Sequence, residues 1–234
     1  MKELGSMINR RTTKDDLLNL HDYGINVKTR EIYLHPRMDL VEEMPGVEYG
    51  MAAQFIKNLN FLCNQNDRNI LVTMQTCGGD WNYGIGIYDG IIASKSPVTI
   101  VAYAHARSMS SIILQAADKR VFMPHTEFMV HFGTQGDDNG HLNFVAGAEF
   151  SKVSTQRMLK VYAKRCILGE HFQKRYKSLT EDKVMQYIDR MIKEKGDWWL
   201  RADEAVYYGF GDGIFGDKGF ENLEKIRTNK KFCW

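Results

Sequence analysis

The chain has 234 residues, 44% of them apolar and 26% charged, with a net charge of +2. This composition excludes a disordered chain and can supply a sizeable core, and the length fits one large domain or one domain with appendages. The near-neutral balance argues against nucleic acid as the main partner, and the apolar runs are too short to cross a membrane.

Residues 1–28 are polar and mixed, and read as an N-terminal arm with a short helix near Asp15–His21 and no apolar signal segment. A domain follows over residues 29–216. It opens with a short strand at Glu31–Leu34, and Val47, Met51, Phe55, Leu59 and Leu62 then fall at helical spacing across Val47–Cys63. A regular alternation begins next: strand Asn69–Thr76, helix Asn82–Ser94, strand Pro97–Ala104, helix Ser108–Ala117, and strands Arg120–Met123 and Phe128–Phe132. Helices are expected over Leu142–Cys166, Glu181–Lys193 and Ala202–Tyr208. Apolar, non-alternating strands between helices predict an α/β domain whose parallel sheet is covered on both faces. Residues 217–234 hold five basic and three acidic side chains and read as a basic C-terminal tail.

The four cysteines are scattered without a CxxC pair, and the histidines form no HExxH or HxxxH pair. Free thiols in a reducing compartment are expected, in the cytoplasm or an organelle stroma or matrix, with no metal and no cofactor.

Three segments are candidates for chemistry. Thr76-Cys77-Gly78-Gly79-Asp80 lies between a strand and a helix. Adjacent glycines there let a ligand or peptide approach the backbone, and their N–H groups can face an anion. It is neither a dinucleotide fingerprint nor a Walker loop, and the plain alternative is a strand-to-helix turn. His105-Ala106-Arg107-Ser108-Met109-Ser110-Ser111 forms a second junction. Ser108 there would sit at the positive end of a helix dipole, with the next N–H able to receive an oxyanion; equally, it could simply cap the helix. Ser110 and Ser111 fall inside the helix. The third candidate is His131, 23 residues after Ser108, either a base or a satisfied core histidine. Asp197, 89 residues after Ser108 and next to Trp198 and Trp199, is either a partly buried orienting acid or a cap for the following helix. Each plain alternative holds for its residue alone. Together the segments supply a nucleophile, a base, an orienting acid and paired amides.

In this order the motifs resemble those of ClpP, the peptidase subunit of ATP-dependent Clp proteases, over roughly Thr29 to Phe215. The family's SPGG loop is similar to Thr76-Cys77-Gly78-Gly79, and its helix motif to Gly86-Ile87-Tyr88-Asp89. Its ASMG motif is similar to Arg107-Ser108-Met109-Ser110, and its MIHQP motif to Met129-Val130-His131-Phe132-Gly133. Its acid motif resembles Gly196-Asp197 followed by Ala202-Asp203-Glu204-Ala205. The resemblance implies a ClpP/crotonase-like ββα superhelix with a protruding handle, here about Gly133–Asn139 plus the long helix. It implies Ser108 as nucleophile, His131 as general base, Asp197 as orienting acid, and the N–H groups of Gly79 and Met109 as the oxyanion hole. Gly78 and Arg107 would touch substrate. Members form seven-membered rings, usually two stacked, into which an AAA+ unfoldase feeds unfolded polypeptide.

Three departures stand out. Cys77 replaces the loop proline, Arg107 replaces a small residue, and Gly196 replaces an Arg that joins the two rings in the family. If Arg107 faces the cleft, it favours acidic or small residues beside the scissile bond. If it faces away, it anchors to Asp89, Glu127 or a neighbouring subunit. Two further readings are carried: a catalytically impaired ring or scaffold subunit, and a crotonase-type acyl-CoA enzyme.

Overall fold

Apolar segments without alternation form the middle of a single sheet. In the computed structural model, which describes residues 13–36, 46–134 and 141–234, the strands are β1 (Ile25–Asn26), β2 (Glu31–Leu34), β3 (Ile70–Thr76), β4 (Val98–Arg107), β5 (Lys119–Phe122), β6 (Glu127–Val130), β7 (Trp198–Arg201) and β8 (Gly213–Ile214). The helices are α1 (Lys14–Tyr23), α2 (Tyr49–Gln65), α3 (Trp81–Ala93), α4 (Met109–Ala116), α5 (His141–Cys166), α6 (Glu170–Arg175), α7 (Glu181–Lys195), α8 (Ala202–Tyr208) and α9 (Leu223–Ile226).

Strands β2, β3, β4, β5 and β8 lie side by side and parallel, with β1 antiparallel at one edge. Ile70, Val72 and Met74 of β3 point into the main core. The alternate residues Leu71, Val101 and Val121 form a second, smaller core on the opposite face. The C-terminal segment covers that face through Phe215, Phe220 and Ile226. The expected α/β class and two-sided burial are therefore present, with an extended segment and the four-residue α9 as the second cover.

Strand β4 changes partners part-way along. Its first half pairs with β5 (Thr99–Ala102), and its end pairs with β6 (His105–Arg107). Between them Ala104 has φ 52°, and the register against β3 slips from Met74↔Ala102 to Thr76↔Ala106. This bulge turns the end of β4 away from β5. Strand β7 then adds to β6 antiparallel, so the sheet splits towards the C-terminal ends of its parallel strands. Strand β4 thus runs three residues past the apolar run Pro97–Ala104, through polar His105 and Arg107. Trp198–Arg201 forms a strand where the sequence pattern predicts no element.

Residues 13–28 of the anticipated arm form α1 and β1. Thr13 and Asp16 close a capping box on α1, and Asn58 and Gln54 of α2 donate to the carbonyls of Tyr23 and Asp22. Residues 1–12 lie outside the described residues, as do residues 135–139 of the anticipated handle. In α5 the second half is buried through Met158, Leu159 and Tyr162, whereas Val145, Phe150 and Val153 in the first half are exposed. The C-terminal segment returns to the body: Asp118 accepts from the N–H groups of Val98 and Phe232 and from Lys231. Phe232 stacks 3.7 Å from the Arg165 guanidinium. Burial, reinforced by Arg120, pushes Arg165 down to about 9, and the aromatic face offers its cation a partner. Among the described residues no helix is long and apolar enough to cross a membrane.

Candidate active site

The strand registers bring three of the singled-out side chains together. Strands β4 and β6 are parallel and pair Arg107 with Met129, so both chains leave the sheet at the same end. Ser108 follows Arg107 directly, and His131 lies just past the end of β6. Strand β7 is antiparallel to β6 and pairs Trp198 with Val130. Extending that register by one residue sets Asp197 opposite His131. His131 Nε2 lies 2.7 Å from Ser108 Oγ, and His131 Nδ1 lies 3.1 Å from Asp197 Oδ1.

Ser108 stands on a strained turn. Its φ of 52° and ψ of −125° are unusual for a residue with a Cβ. Two fixed bonds hold the turn: Ser108 N–H donates to Met129 O at 2.9 Å, and Ser111 N–H donates to Ser108 O at 3.0 Å. The hydroxyl makes no cap bond to α4, so capping does not account for Ser108. Ser111 is occupied by Ser108 O and by the Tyr162 hydroxyl, and Ser110 is buried.

Asp197 departs from expectation in its surroundings. Its side chain is 53% exposed, because alternation along β7 turns Trp198 inward and leaves Asp197 and Trp199 outside. Nor does it cap α8; Glu204 takes that role by accepting from Arg201 N–H at 2.9 Å.

The glycine loop is pressed against the same corner. Gly78 (φ 110°) passes so close that a Cβ there would lie 2.6 Å from Ser108 Cβ and 2.9 Å from Arg107 O. Gly79 (φ 144°) is stitched to Val47, since Val47 N–H donates to Gly78 O and Asp80 N–H donates to Val47 O. These two bonds pass over the Gly79 N–H. The Met109 N–H opens α4 and has no partner within the helix. Asp80 caps α3 by accepting from Asn82 and Tyr83, and Cys77 is half-buried between Thr76 and Gly78.

Arg107 directs its guanidinium to Glu127, with which it forms an ion pair, and its Cζ lies 4.8 Å from the centre of the Trp199 ring. Of the two orientations considered from the sequence, this is the anchoring one. Glu127 was one of the anchors anticipated for Arg107; Trp199 as its second partner was not. The β-prone aromatic run Trp198-Trp199-Leu200 was the available signal. Among the described residues no group of three His, Cys, Asp or Glu side chains could hold a metal.

The sequence model of the Clp protease family matches residues 32–218. The chain belongs to the Clp protease family. The relatives it resembles include the ATP-dependent Clp protease proteolytic subunit of Deinococcus radiodurans, 28% identical over 75% of this chain and 79% of that protein. The subunit of the same description from Streptococcus equi subsp. equi is 28% identical over 80% of this chain and 90% of that protein. Among solved structures, a ClpP1 variant from Listeria monocytogenes superposes with a TM-score of 0.63 at 20% identity, covering 86% of this chain and 96% of that one. That likeness shows the fold. The resemblance to ClpP-type serine peptidases and the ClpP-like α/β fold are both borne out, and the crotonase-type reading gives way to the Clp protease family.

Proposed function

We propose that this chain is the proteolytic subunit of a Clp-type protease that hydrolyses peptide bonds through Ser108, His131 and Asp197. The observation that carries this reading is the unbroken chain from Ser108 Oγ through both ring nitrogens of His131 to Asp197, at 2.7 and 3.1 Å.

Ser108 Oγ attacks the scissile carbonyl while His131 Nε2 takes the hydroxyl proton. Negative charge moves to the carbonyl oxygen, which the N–H groups of Gly79 and Met109 receive. In sites of this kind each such donor contributes about 3–4 kcal/mol. Asp197 fixes the His131 tautomer and stabilises the imidazolium. As the tetrahedral adduct collapses, His131 returns the proton to the leaving amine. Water, deprotonated by His131, then releases the acyl group and restores Ser108.

The curated relatives are described as ATP-dependent proteolytic subunits, which supports unfolded polypeptide as the substrate and an AAA+ unfoldase as the partner. The assembly proposed is a seven-membered ring. The exposed Val145, Phe150 and Val153 of α5 are surface available to a neighbouring subunit. Gly196, in place of the inter-ring Arg, argues for weakly associating rings.

The test pairs native mass spectrometry with hydrolysis of a fluorogenic peptide. A heptamer or double heptamer that cleaves the peptide, and loses cleavage on Ser108→Ala, is the expected result. A monomer at micromolar concentration would contradict the ring. Equal cleavage by Ser108→Ala would contradict the nucleophile.

A further inference from the structure

Strand β7 carries Asp197 but is weakly held. It has four residues and, among the described residues, pairs only with β6, at an edge of the sheet. Immediately upstream, Gly196 (φ 71°) has, among the described residues, open space where a side chain would sit, so no side-chain packing anchors the chain at that position. Upstream of Asp197, the chain is held by the bond from Gly196 N–H to Ile192 O, which caps α7.

The outer face of the split sheet shows what holds β7 instead. Alternation places Arg107, Met129 and Trp199 on that face, and the registers Arg107↔Met129 and Met129↔Trp199 set them in one row across β4, β6 and β7. The pair His131 and Asp197 continues the same face one row further along. Arg107 spans the row: its cation lies against the Trp199 ring and is tethered by Glu127 of β6. Met129, in the middle of the row, is only 6% exposed, as expected if the cation and ring close over it. On the inner face Trp198 is buried against Tyr208 and Phe210. The strand is thus gripped from both sides, and the outer grip comes from the residue preceding Ser108.

We infer that Arg107 is a positioning residue: by bridging Glu127 and Trp199 it seats β7 and so holds Asp197 opposite His131. The inference rests on the triad reading above and goes beyond it, because it assigns the bulky cation beside the nucleophile to the acid rather than to substrate. A planar guanidinium suits this role. It can stack on an indole and pair with a carboxylate at once, which an ammonium does less well.

The experiment measures the rate at which a small fluorophosphonate modifies Ser108, together with kcat and KM on a fluorogenic peptide, in the assembled full-length protein. Thermal melts check that every variant folds. A cation–aromatic contact of this exposure corresponds to about a two- to fivefold rate effect. Arg107→Met and Trp199→Leu should slow phosphonylation by that factor, with kcat falling in step and KM unchanged. Trp199→Phe should restore most of the rate. In an Asp197→Asn background, adding Arg107→Met should cause no further loss, because the two changes act through one group. Full additivity in that background would overturn the inference. So would normal phosphonylation with an altered KM, which would return Arg107 to substrate binding. A parent protein that resists the probe would end the triad reading itself. A labelled parent with an indifferent Arg107→Met ends only the positioning role.

Discussion

Ser108 reaches His131 because several backbone details agree. The strained turn lifts its hydroxyl out of the helix-cap position, and the bond to Met129 O fixes the turn. Gly78 leaves room for that turn, since any side chain there would strike Ser108. Gly78→Ala is therefore expected to displace the hydroxyl and lower kcat/KM by about 10², the order that ångström-scale misplacement produces. Peptide hydrolysis by a variant with an unchanged circular dichroism spectrum checks this, and parental activity would contradict it. Gly78, Gly79, Ser108, His131 and Asp197 could all be picked out in the sequence from residue type, order and family likeness. Their separations could not show how closely they meet. The exposure of Asp197 was also hidden, because it depends on which side chains of a four-residue strand face inward.

The strongly apolar elements were legible within a residue or two: β3, α3 and α4 follow directly from their patterns. Some short elements, such as β2 and α8, were legible too, but others were not. Strands β1, β7 and β8, and helices α6 and α9, are held by their neighbours rather than by local preference. The end of β4 was missed for a related reason, since its residues beyond the bulge alternate where the earlier ones do not. Strand β7 matters most to the site. Trp198 is 2% exposed and packs on Tyr187, Tyr208 and Phe210. Trp198→Ala should cost about 3–5 kcal/mol through the cavity it leaves. In a chain of this size that lowers Tm by about 10 °C. Calorimetry reads the loss directly, and a shift of only a degree or two would show that β7 is seated without Trp198.

The body is tied together by charges under the sheet as well as by its apolar core. Arg120 is buried and reaches Asp212, Gln115 and Gly209 O, linking β5 to the turn before β8. Burial alone would raise the Asp212 carboxyl, but Arg120 and Arg165 outweigh it and hold the carboxyl below the usual carboxylate range. A carboxyl lower in the folded than in the unfolded chain adds stability above its unfolded value. That stability is lost as pH falls through the folded value, so Tm should drop below about pH 4. Asp212→Asn should remove that part of the acid dependence and cost about 2 kcal/mol at neutral pH, the open edge of the pair limiting its size. A parallel pH–Tm curve for the variant would count against the ion pair. All of this scaffolding serves one corner of the sheet, where a hydroxyl, an imidazole and a carboxylate meet. Treatment of the assembled protein with a fluorophosphonate, followed by peptide mapping, tests that corner most directly. A nucleophilic Ser108 predicts one adduct per chain, on Ser108, that disappears in Ser108→Ala and slows sharply in Asp197→Asn. No adduct, or an adduct on another serine that persists in Ser108→Ala, would contradict it.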